Sequence, residues 1–525
     1  MTHDCSHQGS ALRNLLLTVS VVIALAGGWW AWENATRESK RAEETRLPAP
    51  PPSLLVAKAN APAPMPPPAT YQSTDDQVRV GVPSGPIAAG IFMIHDGTQP
   101  NPQETSIARS NQSISVEVFT SSVLAAVHRG ELAGGLVPIE ELVLHAQEID
   151  VVIAGFAGWQ RGMTQWIVRE NIHDLRDLLG RVVAVPPFSQ ADLFLRRLAA
   201  LTETPIRELP PDRWQEQVEV GSLNIVPARD DRAAGQWFLK AIVDGDDRVA
   251  GCVTRFPTSE WLLSAAPHKT RRLVSDRNFP INAFYLVFNR GFADSNPTAA
   301  QALTQRLFEG NALASASPEK TAQALADRLR WKSGTAATAL GLVQLADTND
   351  SHRWMADRMR ALFSQVAALY GILQQPEISL LPDVEPSDKS EPLFAPRRLH
   401  HKQLPLDPLW QDTFPLRVGP NVATIDSRLP ENTALLDKIQ TLISASAGSV
   451  VRLRVYTDNG LLPQKKPDQA LAMHAMDLSR ARGETLRREL VSMGIPAESI
   501  EIEAGGWAPD GQSGPSVEVA WFILE

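Results

Sequence analysis

From Gln77 to about residue 350 the sequence alternates between short apolar runs and segments of helical period. The runs are VRVGV (78–82), ISVEVFT (114–120), IDVVIAGF (149–156), RVVAVPPF (181–188), LNIVPA (223–228) and RVAGCVTR (248–255). Several are apolar almost without interruption, as strands covered on both faces must be. Between them, SSVLAAVHRGEL carries Leu124, Val127 and Leu132 at helical spacing, and SQADLFLRRLAAL opens on Ser189, a residue suited to capping a helix. Strand–helix alternation of this kind predicts an α/β fold, a mostly parallel sheet with helices packed on it.

In such sheets ligands collect beyond the carboxyl ends of the strands, where helix N-termini offer free N–H groups and the positive end of a dipole. Three turns occupy that position: Ser84–Gly85, Ser121–Ser122 and Ser189–Gln190. Gly155 and Phe156, with Trp159 just beyond, are expected to supply an apolar wall. The chemistry suits an anion or a small zwitterion, although serine and glycine at these points also serve as ordinary caps and turns. Arg232 and Arg255 could hold an anion but read rather as surface residues, and neither His95, before Asp-Gly, nor His173, which opens a helix, has a readable base or nucleophile partner. There is no GxSxG, HExxH, Walker or GxGxxG motif, so the expectation is a non-enzymatic protein without cofactor or metal.

The order VRVGV, TSSVLAAVHRGEL, IDVVIAGF and IHDLRDLLGRVVAVPPFSQADLFLRRLAAL resembles that of type II periplasmic substrate-binding proteins of the nitrate/sulfonate/taurine class. The resemblance implies two α/β lobes over residues 76–374, a hinge between them and a ligand cleft. It also implies that the helix-rich stretch 297–374 packs back on the first lobe.

Leu15–Trp32 is free of charge and long enough to cross a bilayer, with Trp29, Trp30 and Trp32 at one end as interfacial anchors. It reads as a retained signal-anchor: no small-x-small cleavage site and no lipoprotein cysteine follow. It also lacks the ionisable residue that an ion pathway requires. Residues 1–14 before it are expected to be a cytoplasmic N-terminus, and a charged, then proline-rich linker follows over 33–75, of which 47–70 is polyproline-like. A second proline-rich linker is expected over 375–416, where His400–His401 read as solvated. The net charge of −9 excludes a general nucleic-acid binder, and the two cysteines, Cys5 and Cys252, flank the apolar stretch and are not expected to pair.

From residue 417 to 525 a β-α-β-α-β-β pattern is expected, opening on VATID (422–426). YTDNG followed by LSRARGETLRRELVSMGIPAESIEIEAGGWAPD resembles the OmpA-like peptidoglycan-binding domain. That resemblance implies that Asp458 accepts from the ammonium of the peptide stem and that Arg482 forks onto its carboxylate. Departures weaken the match: Ala475 stands where the family has Asn, GPSVEV replaces an arginine-bearing end, and LLPQKKPDQA lengthens the loop.

The combined expectation is a single-pass inner-membrane protein with its bulk in the periplasm. It binds a small solute, an anion or a zwitterion, and attaches to peptidoglycan, in contact with an inner-membrane complex. Arg37, Lys40, Arg41 and Arg46, against Arg13 alone, point to the opposite orientation, and the two extracytoplasmic resemblances outweigh them. The alternative is a stator-like or scaffold subunit whose binding domain has lost its ligand.

Overall fold

The computed structural model describes residues 62–72, 77–95, 113–372, 379–381, 404–419, 421–458, 469–509 and 514–524. The apolar stretch 15–32, most of the two linkers and His400–His401 lie outside them. Among the described residues no helix is long and apolar enough to cross a membrane.

The apolar runs form two six-stranded sheets, one per lobe. Lobe 1 holds β1 (Gln77–Pro83), β2 (Ser113–Phe119), β3 (Gly134–Pro138), β4 (Val151–Gln160), β11 (Ala283–Asn289) and β12 (Val343–Leu345), in the order β12-β4-β11-β3-β1-β2. Lobe 2 holds β5 (Thr164–Arg169), β6 (Val182–Val185), β7 (Ile206–Glu208), β8 (Leu223–Pro227), β9 (Val249–Arg255) and β10 (Thr270–Ser275), in the order β10-β5-β9-β6-β8-β7. β1 runs parallel to β2 and β3, and β6 runs parallel to β8 and β9; β11 and β5 enter antiparallel. All ten residues of β4 are buried, as their continuous hydrophobicity requires.

Helices cover both faces. In chain order they are α1 (Ala89–His95), α2 (Val123–His128), α3 (Ile139–Leu144), α4 (Gln190–Leu201), α5 (Asp231–Asp244), α6 (Thr258–Ala265) and α7 (Arg290–Ser295). There follow α8 (Pro297–Ala316), α9 (Pro318–Leu329), α10 (Ser333–Leu340), α11 (Thr348–Asp357) and α12 (Met359–Leu369). The chain crosses between lobes twice, from β4 to β5 and from β10 back to β11, so the two lobes are joined by a double connection. Helices α8 and α9 share a core with α1 and β1 in lobe 1, as the family resemblance implies.

Three boundaries differ from the sequence reading. Residues 62–72 are not spacer: Tyr71 is buried, its N–H donates to Asn289 Oδ1, and Ala69 N–H donates to the His128 carbonyl. Residues 379–381 are held on lobe 1, where Ile153 N–H donates to the Ser379 carbonyl and Leu381 N–H to that of Ile153. At the C-terminal end the first strand is not 422–426 but β13 (Trp410–Pro415), inside the expected linker. The extended edge is taken by Trp410 facing Trp521 on β16 (Ser516–Ile523), whereas Asn421 adopts a left-handed backbone that opens a turn before Ile425.

The C-terminal domain is completed by α13 (Pro430–Ser444), β14 (Ser449–Thr457), α14 (Gln469–Ser492) and β15 (Ile500–Trp507), in a mixed sheet of order β13-β16-β14-β15. It docks on lobe 2 and on the returning crossover. Leu175 N–H donates to the Leu409 carbonyl, and Asp407 meets His173 at 2.8 Å and Arg271 at 3.5 Å. Asn278 accepts from Ala447 N–H and donates to the Leu524 carbonyl, while Phe279 packs edge-on against Trp521. His173, for which the sequence offered no partner, is a docking residue.

Candidate functional site

The turns at the carboxyl ends of β1, β2 and β6 converge with the ends of β4 and β9 and the first turn of α3 on one cavity of about 390 Å³. Lobe 1 contributes Ser84, Gly85, Ser121, Ser122, Glu140, Glu141 and Gln160; lobe 2 contributes Phe188, Ser189, Gln190 and Arg255. The cavity therefore lies between the lobes. Six of the seven expected residues line it: Ser84, Gly85, Ser121, Ser122, Ser189 and Gln190.

Local sequence explains their placement. Ser122 caps α2 by accepting from Ala125 N–H at 3.1 Å, and Ser189 caps α4 by accepting from Asp192 N–H at 3.3 Å. Both hydroxyls are also spent as donors, Ser122 to Glu141 Oε2 at 2.6 Å and Ser189 to the Pro186 carbonyl at 2.7 Å. Phe188 has φ of 55°, an uncommon backbone for a bulky residue, and its N–H donates to the buried Asp192 carboxylate at 3.0 Å. That turn aims the N-terminus of α4 into the cleft.

Gly155 does not belong to this group. It lies mid-strand in β4, where a Cβ would meet the Phe308 ring at 3.0 Å and Ser351 Oγ at 3.1 Å. Close packing of α8 and α11 on the strand requires the glycine, not a ligand. Phe156 likewise stacks on Trp354 at a ring separation of 4.6 Å, and Trp159 lies tilted against it at 5.4 Å, inside the core. The residue at the true end of β4 is Gln160.

Sequence reasoning missed the charged residues of the cavity. Arg255 spans two partners: Nε donates to Asp231 Oδ2 at 2.8 Å and Nη1 to Gln190 Oε1 at 3.0 Å. That contact fixes the Gln190 amide, and its Nε2 has no partner among the described residues. Glu140 Oε2 and Gln160 Oε1 are also buried and unpartnered among them. Burial pushes the Glu140 carboxyl up to about 8 and raises Glu141, whose bond to Ser122 partly offsets the effect. The site thus combines helix N-termini and one arginine with two carboxyl groups, and it leaves two acceptors and one donor open. An unsatisfied buried polar group costs on the order of 1–3 kcal/mol, so a ligand that supplies the missing partners gains by that amount.

In the C-terminal domain the structure brings Asp458, at the end of β14, into electrostatic range of Arg482 on α14. Arg482 is almost completely buried, with Nε on the Val422 carbonyl at 2.9 Å and Nη2 on that of Gly419 at 3.1 Å. Only Nη1 has no partner among the described residues. The guanidinium chiefly ties down the segment leading into α13.

No family model matches the sequence, and no curated protein matches it. Among solved structures the chain is similar to the periplasmic aliphatic sulphonate binding protein SsuA from Escherichia coli, with 18% identity and a TM-score of 0.42 over 58% of this chain and 96% of that one. It is similar to the alkanesulfonate-binding protein SsuA from Xanthomonas axonopodis pv. citri, bound to MOPS, with 13% identity and a TM-score of 0.41 over 60% and 99%. It is also similar to the desulfurization enzyme DSZB, with 14% identity and a TM-score of 0.38 over 57% and 94%. What each of these proteins binds or converts belongs to that protein.

Glu140 gives a signed pH dependence. Its carboxyl is raised from 4.5 to about 8, so across that window the folded chain holds a proton that the unfolded chain releases. Its contribution to stability is complete below about pH 4.5 and is lost as pH rises through about 8. Glu140→Gln removes the slope. In thermal unfolding the variant should gain on the wild type steadily from pH 5 to pH 8, by on the order of a few kcal/mol; parallel pH profiles would contradict the assignment.

Proposed function

We propose that residues 77–372 form a non-enzymatic binding module that holds a small polar solute between its lobes. The observation that carries this reading is that Glu140, Gln160 and Gln190, each with a buried polar atom unpartnered among the described residues, all line one cavity walled by both lobes. The solute that fits best is a zwitterion. Its ammonium faces Glu140 and Glu141; its anionic end faces the Gln190 amide and the N-termini of α2 and α4. A wholly anionic solute fits only while Glu140 carries its proton.

Around this module, Leu15–Trp32 acts as an inner-membrane anchor, the bulk occupies the periplasm, and the C-terminal domain attaches to peptidoglycan through Asp458, with Arg482 as a positioning residue. The support is the uncharged apolar run and the YTDNG and LSRAR motifs. The scaffold reading, in which the lobes no longer close on a solute, draws on the docking of the C-terminal domain against the returning crossover.

Two measurements test these parts separately. In a thermal-shift panel of the purified chain, amino acids and amino sulfonates should raise the melting temperature more than nitrate or alkanesulfonates. Gln190→Ala should weaken the best solute roughly tenfold, or about 1.4 kcal/mol. No shift with any class would leave the scaffold reading. On purified peptidoglycan the chain should be retained and Asp458→Ala should be lost; equal retention would deny Asp458 its role. Arg482→Ala is a poor control, because it strips buried carbonyls of their donor.

A further inference from the structure

A second cavity, of about 300 Å³, lies behind the hinge and shares no lining residue with the cleft. It is walled by Arg197 on α4, by Phe279–Ile281 of the returning crossover, by Trp354 of α11, Leu362 and Gln365 of α12 and Arg358 between the two helices, and by the end of α13. No carboxylate lines it among the described residues. It runs on into a further crevice of about 410 Å³ that shares Pro280, Arg358 and Ser444 and is equally free of acidic side chains.

Arg197 is the telling residue. It is half-buried and has no hydrogen bond or ion pair among the described residues. Burial alone lowers its pKa, with no nearby carboxylate to oppose the shift. A guanidinium partly withdrawn from water without a counter-charge carries a desolvation cost, and a bidentate oxyanion is its natural complement. Much of the rest of the wall is apolar (Phe279, Pro280, Ile281, Ala361, Leu362 and Ala445), and Trp354 Nε1 already donates to the Tyr285 hydroxyl at 2.8 Å. Arg358, Ala361, Leu362 and Gln365 recur at helical spacing along one side of α12 and its entry.

We propose that this cavity is a second binding site, for a small oxyanion carried on an apolar body, such as an aryl or short-chain carboxylate or phosphate monoester. Arg197 holds the oxyanion, and Phe279, Trp354 and Leu362 cover the hydrocarbon. The site is independent of the cleft reading, since the two cavities have no residue in common.

Isothermal titration of the purified chain with phenyl phosphate, benzoate and inorganic phosphate tests the proposal. Phenyl phosphate or benzoate should bind, inorganic phosphate more weakly, and Arg197→Gln should reduce affinity at least tenfold. Without ligand, Arg197→Gln should melt no lower than the wild type, because it removes an uncompensated cation. Ala361→Glu, at an exposed position on the rim, places a carboxylate beside both arginines and should also abolish binding; it serves if Arg197→Gln does not fold. Three results would overturn the site: no binding at millimolar probe, unchanged affinity in both variants, or loss of binding in Gln190→Ala instead. Equal affinity for inorganic phosphate would overturn the apolar half of the assignment.

Discussion

The arrangement of the lobes depends on one buried carboxylate. Asp276, completely buried, stands where the chain leaves β10 for lobe 1. Its Oδ1 accepts from the N–H groups of Gly162 and Thr164 in the outgoing crossover, at 2.5 and 3.1 Å, and its Oδ2 accepts from Asn282 Nδ2 in the returning one. Asn282 in turn donates to Thr164 Oγ1 at 2.9 Å. Both connections are therefore tied to a single side chain. Burial raises its pKa to about 7 in spite of four stabilising hydrogen bonds, a measure of how dry the junction is.

From that junction the cleft follows by geometry. With β4–β5 and β10–β11 pinned together, the carboxyl ends of the parallel strands in the two lobes face each other, and the helices that follow aim their N-termini across the gap. Most groups in the cavity are already committed: Ser122 to Glu141, Ser189 to Pro186, Arg255 to Asp231 and Gln190. These bonds fix the shape of the wall. The few atoms they leave unpartnered define what a solute must bring.

The sequence made the capping serines legible because a cap is a local signal: strand, serine, helix. It hid the charged half of the cavity for reasons that are tertiary. GGLVP is not among the apolar runs that stand out in the sequence, yet Gly134 and Gly135 lie in β3, pressed against Phe288 and Val123, so the first turn of α3 with Glu140 and Glu141 went unseen. An acidic pair at a helix start is also an ordinary preference that carries no sign of a cavity. Ending β4 at Phe156 placed Gly155 at the rim; the strand continues four residues further, and the rim passes to Gln160. Arg255 obeyed the strand-end rule that found the serines and was set aside only because arginine is usually exposed. At the C-terminal end VATID has a strand's composition, but Trp410–Pro415 won the edge through the Trp410–Trp521 pairing.

The docked C-terminal domain adds a constraint that composition could not show. Asn278 and Phe279, two and three residues beyond Asp276, are held by Ala447, Leu524 and Trp521. The crossover that positions the lobes is therefore also the floor on which the last domain rests. Equilibrium denaturation of Asp276→Ala probes this account most directly. Removing the carboxylate strands the Gly162, Thr164 and Asn282 donors in a dry junction, and at roughly 1–3 kcal/mol for each unsatisfied group the loss should reach several kcal/mol. A variant whose stability lies within about 1 kcal/mol of the wild type, inside the range of ordinary surface substitutions, would show that the lobes are not held together there.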